Sequence, residues 1–251
     1  MMKTITFENT YILGYIVNES EQYRQYHYPE MLCRYDSNFI ALKQMPTLIV
    51  FRQLEQSLRA FHRAHGQQHL KFIFPPNKIM SDEIANYMKT EEYDIGFVEL
   101  YAINPKMFSV AKHSSIDVQL VSDTNMEAFL KLQYEEDLKY GETFAKEKQE
   151  LLRRQYDDGS KLQMIAYYEG NPAGCVEVIE RDKTVEIDNF FVAKLFRYHG
   201  VGGQIQRFVM ELFVDKTVIL LADGEDTARE MYQKQGYEYL GFRYDGLKVH
   251  K

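Results

Sequence analysis

The sequence has no tryptophan and only two cysteines, Cys33 and Cys175. The cysteines form no metal-type pair, and each lies in an apolar or mixed stretch, so both read as reduced, buried thiols. The opening residues, MMKTITFENT, hold no apolar run of signal-peptide length, and no segment approaches the ~20 apolar residues needed to span a bilayer. The expectation is a cytoplasmic protein with no membrane partner. A basic surplus is also missing. The first 115 residues hold 12 Lys/Arg and 12 Asp/Glu, which leaves 18 and 25 of the totals of 30 and 37 for the remainder. The acidic excess behind the net charge of −7 therefore lies in residues 116–251. That argues against nucleic acid as a partner and suits a cationic, amine-bearing one.

What is present is a globular composition. Hydrophobic residues make up 45% and charged residues 27%, which excludes a disordered chain, and 19 Tyr and 16 Phe furnish a core. A polar stretch at 104–117 opens with Asn-Pro and lacks a sustained period, so it marks a boundary between domains at 1–115 and 116–251.

The second half alternates between periods. It predicts a strand at Val118–Val121, helices at Thr124–Leu138 and Phe144–Tyr156, and strands at Gln163–Tyr168, Gly174–Ile179 and Thr184–Val192. A helix at Gly200–Phe213, a strand at Thr217–Ala222, a helix at Thr227–Gln235 and strand-like sequence over Tyr237–Val249 follow. The order β-α-α-β-β-β-α-β-α-β-β is a mixed α/β fold. The first half has a similar rhythm: strand Asn38–Leu42, helix Thr47–Ala64, strand His69–Phe74, helix Ser81–Lys89 and strand Ile95–Ile103. Tyr87 precedes Gly96-Phe97 by nine residues, and Tyr232 precedes Gly241-Phe242 by the same number, with Lys89 and Lys234 two positions after each tyrosine. This spacing suggests an internal duplication.

The most informative segment joins a strand to a helix and reads Val192-Ala-Lys-Leu-Phe-Arg197-Tyr-His-Gly200-Val201-Gly202-Gly203. Glycines allow close backbone approach, the first N–H groups of a helix point outward unpaired, and Arg197 adds a fixed positive charge. Together they make a cradle for a pyrophosphate. The Walker pattern needs a Gly-Lys-Ser/Thr that is absent, and the dinucleotide fingerprint needs glycines early in a βαβ unit.

Arg197-x-x-Gly200-x-Gly202 resembles the Arg/Gln-x-x-Gly-x-Gly/Ala signature of the GNAT superfamily of N-acetyltransferases. Residues 185–192 resemble that family's fourth strand. Ala228, Tyr232 and Gly236-Tyr237 resemble its Ala-x-x-x-Tyr-x-x-x-Gly-Phe/Tyr segment. The resemblance spans residues 116–251 and implies the GNAT-like acyl-CoA N-acyltransferase fold, an α+β mixed sheet. The duplication extends it to two tandem units, the first degenerate, since residues 40–48 carry no glycine loop. One position departs from the family: Glu225 stands where an Asn is common, with Asp223 and Thr227 as candidate replacements.

The implied activity is transfer of an acetyl group from acetyl-CoA, with no metal, to a primary amine of a small molecule or peptide. The alternative is a non-catalytic acetyl-CoA-binding or regulatory module. The resemblance puts the pyrophosphate on Arg197, Gly200, Val201, Gly202 and Gly203, and the pantetheine arm along Phe190–Val192. It puts the thioester oxygen on an N–H of Phe191 or Val192. Glu186 is the implied general base, with Asp188 in reserve on the same side of the strand, and Tyr232 is the implied acid toward the leaving thiolate. The acidic run Glu135-Glu136-Asp137 falls where the acceptor is expected. A homodimer is one assembly the sequence allows.

Three other features have plainer readings. His62, His65 and His69 read as a solvated helix end rather than a metal site. The segment from Tyr23 to Tyr28 reads as packing or an acceptor-site wall rather than a base-stacking surface. Arg153-Arg154 reads as a solvated face.

Overall fold

A computed structural model describes residues 5–224 and 228–250. Glu225, Asp226 and Thr227, and with them the start of the last helix and the departure at Glu225, lie outside the described residues. The chain begins with strands β1 Tyr15–Glu19, β2 Tyr23–His27 and β3 Phe39–Leu42, helix α1 Leu48–Ala64, strand β4 His69–Ile73, helix α2 Asp82–Thr90 and strand β5 Asp94–Ile103. It continues with β6 Ile116–Leu120, α3 Met126–Asp137, α4 Glu142–Asp157, β7 Leu162–Tyr168, β8 Asn171–Glu180 and β9 Thr184–Val192. It ends with α5 Val201–Leu212, β10 Thr217–Asp223, α6 Ala228–Lys234 and β11 Glu238–Val249. The order β-β-β-α-β-α-β therefore occurs twice, from β1 to β5 and from β7 to β11. Only the second copy is preceded by a further strand and two helices.

Two compact units arise, and neither is a continuous half. One gathers the described parts of residues 1–11, 101–221 and 229–239; the other gathers those of 12–100, 222–228 and 240–251. Relative to a cut at 115/116, each unit thus includes a terminal piece of the other half.

In the unit built around residues 12–100, β1, β2 and β3 are antiparallel, and β3 runs parallel to β4. The end of the chain completes this ladder: β11 is antiparallel to β4, with Asp245 opposite Ile73 and Val249 opposite His69. Helix α1 starts where the Thr47 side chain accepts from the Val50 N–H, and it ends at Ala64, two residues before Gly66, which takes the left-handed φ of +73° that glycine adopts readily. Its stripe of Phe51, Leu54 and Leu58 buries against Leu70, Phe72 and Phe74. Burial of each such side chain contributes about 1.5–3 kcal/mol.

In the unit built around residues 101–221, β6 to β9 form an antiparallel ladder and β10 runs parallel to β9. Phe129, Leu130 and Leu132 of α3 and Leu152 of α4 pack on Ile165 and Cys175 of the sheet. The segment after β5 lies along α5. Gln204 donates to the Ala111 carbonyl at 2.7 Å, and Arg207 donates to the Val110 carbonyl at 3.0 Å.

Several expectations change. The last strand-like stretch is one strand, β11, not two. The segment from Tyr23 to Tyr28 packs as expected, with Tyr26, His27 and Tyr28 buried in or just after β2. His62 and His69 are buried, not solvated: His62 Nδ1 meets the His69 carbonyl at 2.6 Å, and His69 Nε2 meets the Asn38 carbonyl at 2.8 Å. Cys175 is buried but Cys33 only partly so.

Candidate active site

The site is built on β9. Its parallel pairing with β10 runs from Thr184–Thr217 to Ile187–Leu220 and stops there, whereas β9 continues to Val192. The last five residues of β9 therefore have an edge that β10 does not cover. On the opposite edge, Asp188 faces Glu177 and Phe191 faces Cys175. Three steps on β9 match two on β8, which is a β-bulge. It is centred on Asn189, whose φ of +45° is unusual for a residue with a side chain. The bulge turns Phe190 and Val192 toward α5, while Phe191 packs with Cys175 on the α3 side.

Beyond Val192, a short 3-10 turn at Lys194–Phe196 leads into α5. Arg197 is exposed, and its Nε donates to the Val192 carbonyl at 3.2 Å, which fixes the stem and leaves the rest of the guanidinium outward. Gly200 begins α5 in the left-handed region, φ +84°, and no side chain caps the helix. The N–H groups of Val201, Gly202 and Gly203 thus form an uncapped first turn with a positive dipole end. A side chain at Gly202 would meet Phe190 Cζ at 3.3 Å and Val192 Cγ2 at 3.5 Å. This glycine therefore seats the helix against the strand. The matching helix of the other unit, α1, is capped by Thr47 and has no glycine at its start.

Two carboxylates lie on the α3–α4 side of β9. Glu186 is 5% exposed, and its Oε2 accepts from the Tyr11 N–H at 2.6 Å. Burial, with Asp188 nearby, pushes its carboxyl up to about 7, against the opposing pull of the Tyr11 N–H, Arg181 and Lys161. Asp188 is more open, and the buried ammonium of Lys161 lies 2.7 Å from its Oδ2 and 3.4 Å from Glu177 Oε2. Lys148 lies 4.0 Å from the same Glu177 oxygen. The Cys175 thiol beside this network is pushed up by burial and by Glu177, which keeps it a protonated core group.

Tyr232 is buried on α6, its ring 5.4 Å from Tyr101 and 5.3 Å from Tyr237. The acidic run on α3 divides by face. Glu135 and Glu136 pair with Lys131 and Lys139, and only Asp137 is buried.

The structure thus brings Phe191, Val192, Arg197 and Gly200–Gly203 together at one strand–helix junction. Glu186 and Asp188 sit six and four residues before Val192 on the same strand. Tyr232 stands in a separate aromatic group. Sequence reasoning missed the bulge at Asn189, Lys161 and Tyr11. Asn189 has a weak signal, since Asn tolerates positive φ. Tyr11 has none, because 175 residues separate it from its partner.

In this mixed sheet β9 bulges, parts from its parallel neighbour and feeds an uncapped, glycine-started helix, a fold shared with the GNAT acetyltransferases. The family model described as acetyltransferase (GNAT) domain matches residues 121–247, half of the chain, and the chain belongs to this family. Residues 5–101 match a domain of unknown function, DUF5613. The chain is similar over all of its length, and all of that of the other chain, to a functionally unknown conserved protein from Staphylococcus epidermidis, at 32% identity and a TM-score of 0.93. It shares its fold with a GCN5-related N-acetyltransferase from Sphaerobacter thermophilus at 14% identity and a TM-score of 0.60, covering 84% of this chain and 72% of that one. It also shares its fold with a tandem GNAT protein from the clavulanic acid biosynthesis pathway, at 12% identity and a TM-score of 0.51, covering 84% and 75%. None of the curated proteins compared with the chain matches it. Among the described residues, no helix is long and apolar enough to cross a membrane.

Proposed function

We propose that the protein is an N-acetyltransferase that moves an acetyl group from acetyl-CoA to a primary amine of a small molecule or peptide. The observation that carries this reading is the parting of β9 from β10 after Ile187–Leu220, directly before the uncapped start of α5. The open edge of Asp188–Val192 suits an extended arm that pairs like an added strand. The N–H groups of Val201, Gly202 and Gly203, with the outward guanidinium of Arg197, suit a pyrophosphate. A bound acetyl-CoA supplies an activated thioester. A backbone N–H at Phe191 or Val192 then donates to the acyl oxygen as negative charge grows on it.

Asp188, the more exposed carboxylate, attracts the ammonium form of the acceptor. Glu186, with its raised carboxyl, takes the proton through a water and leaves a nucleophilic amine. The phenol of Tyr232 gives a proton to the leaving thiolate.

The test is incubation with acetyl-CoA and a panel of polyamines, amino sugars and peptide N-termini, with free thiol and acetylated product measured together. Amine-dependent thiol release matched by acetylated product supports the reading. Saturable acetyl-CoA binding without turnover on any amine would instead make the protein a binding module.

A further inference from the structure

The start of the chain reaches the carboxylate that the proposed reaction depends on. Residues 6–10 are held by bonds among themselves. Thr6 and Asn9 form a reciprocal cap around a 3-10 turn at Phe7–Asn9. Phe7 and Thr10 are buried, and the Thr10 hydroxyl donates to the Phe7 carbonyl at 2.7 Å. Arg181, at the β8–β9 turn, donates to the Thr10 carbonyl at 3.3 Å. These contacts present the next N–H, that of Tyr11, to Glu186 Oε2 at 2.6 Å. The Tyr11 ring lies under the ammonium of Lys161, 5.2 Å from its centroid, and that ammonium holds Asp188.

The geometry points to Tyr11 as a positioning residue for acyl transfer: its backbone N–H fixes the Glu186 carboxyl, and its ring holds Lys161 against Asp188. This rests on the reading of Glu186 as proton acceptor. A backbone N–H can only donate. It therefore favours the ionised carboxylate, commits Oε2, and directs proton uptake to the other oxygen. The charged groups that act on Glu186 are Asp188 on its own strand, Arg181 at the turn and Lys161 before β7, and Lys161 in turn meets Glu177 on β8, which Lys148 on α4 also approaches. Among them the Tyr11 N–H is a neutral donor, so its loss changes hydrogen bonding without changing net charge.

The experiment uses the full chain labelled with carbon-13 at glutamate carboxyls, with Glu186→Gln to assign the Glu186 signal. Tyr11→Pro removes the N–H. An amide-to-ester replacement at Tyr11 removes the same donor without constraining φ, and it decides the matter if the proline variant misfolds. The Glu186 titration is expected to move upward by about one to two pH units in the donor-less proteins. The acidic limb of kcat/KM is expected to move with it. Tyr11→Phe, which keeps the N–H, is expected to leave the carboxyl titration in place. An unmoved Glu186 titration in the ester protein overturns the assignment of Tyr11, while the limb can still belong to Glu186. If instead the titration moves but the limb stays, and Glu186→Gln keeps that limb, the reading of Glu186 as proton acceptor fails, and the positioning role fails with it.

Discussion

The hydroxyl of Tyr237 donates to Oε1 of Gln206 at 2.8 Å. Gln206 lies one turn beyond Gly202 on α5, and its amide reaches back to the Gly202 carbonyl at 3.5 Å. The turn between α6 and β11 is thereby tied to the helix that starts at the glycine loop. Tyr232 stacks within this tie, edge-on to Tyr237.

That arrangement separates two roles for the tyrosines. Tyr232→Phe is expected to lower kcat by about 10²–10⁴-fold, the range of general acid catalysis, with acetyl-CoA affinity nearly unchanged. Tyr237→Phe strands a buried Gln206 oxygen and is expected to cost about 1–3 kcal/mol of stability. Steady-state kinetics, calorimetry and thermal melts of both variants check this. Full kcat in Tyr232→Phe would make that residue a core aromatic only.

Glu186 sets a pH dependence whose sign follows from its carboxyl being raised to about 7. The base form exists above that value, so kcat/KM is expected to fall about tenfold per pH unit below it. Glu186→Gln is expected to lose this limb and to be slower throughout. Linkage adds a second readout. A carboxyl raised above its unfolded value contributes stability that is full below about 4.5 and is lost as pH rises through 7. The Gln variant is therefore expected to gain stability over the wild type between pH 5 and 8. A wild-type limb retained in the variant would remove Glu186 from the chemistry.

The buried histidines of the other unit give the opposite trend. Burial holds His69 down to about 4, and His27 and His62 are lowered by burial too. Each folds neutral, so its contribution is present above the unfolded value of 6.5 and is lost as pH falls toward 4. For His69 this amounts to roughly 3 kcal/mol. In the Glu186→Gln background, which removes the opposing carboxyl contribution, a thermal melt series is expected to be level above pH 7 and to fall steadily below pH 6. A level profile down to pH 5 would contradict the account.

Most of the elements were legible in the sequence because their periods are clean. Thr184–Val192 is rich in the strand formers Thr, Val, Ile and Phe, and Phe51, Leu54 and Leu58 repeat at helical spacing. β1 was not legible. It lies exposed along its whole length and shows neither alternation nor a buried face. The glycine loop was legible because αL backbone and an uncapped helix start demand particular residues. The hold of Tyr11 on Glu186 was not, since any residue supplies a backbone N–H. The burial of His62 and His69 was missed for a related reason: each pairs with a carbonyl, and carbonyls leave no trace in residue identity. Which unit gathers the stretches near residue 11 and after residue 240 leaves no mark in the sequence either, because a strand reads the same in either unit.

The measurement that tests the central claim most directly is calorimetric titration of acetyl-CoA into the wild type and into Arg197→Ala. Arg197 is exposed, and its side chain bonds the Val192 carbonyl, so truncating that side chain is expected to leave the fold intact. The account expects one saturable site per chain, weakened by about 1.5–3 kcal/mol in the variant, which is roughly 10–150-fold in Kd. No saturable binding, or equal affinity in both proteins, would contradict a coenzyme A site at the junction of β9 and α5.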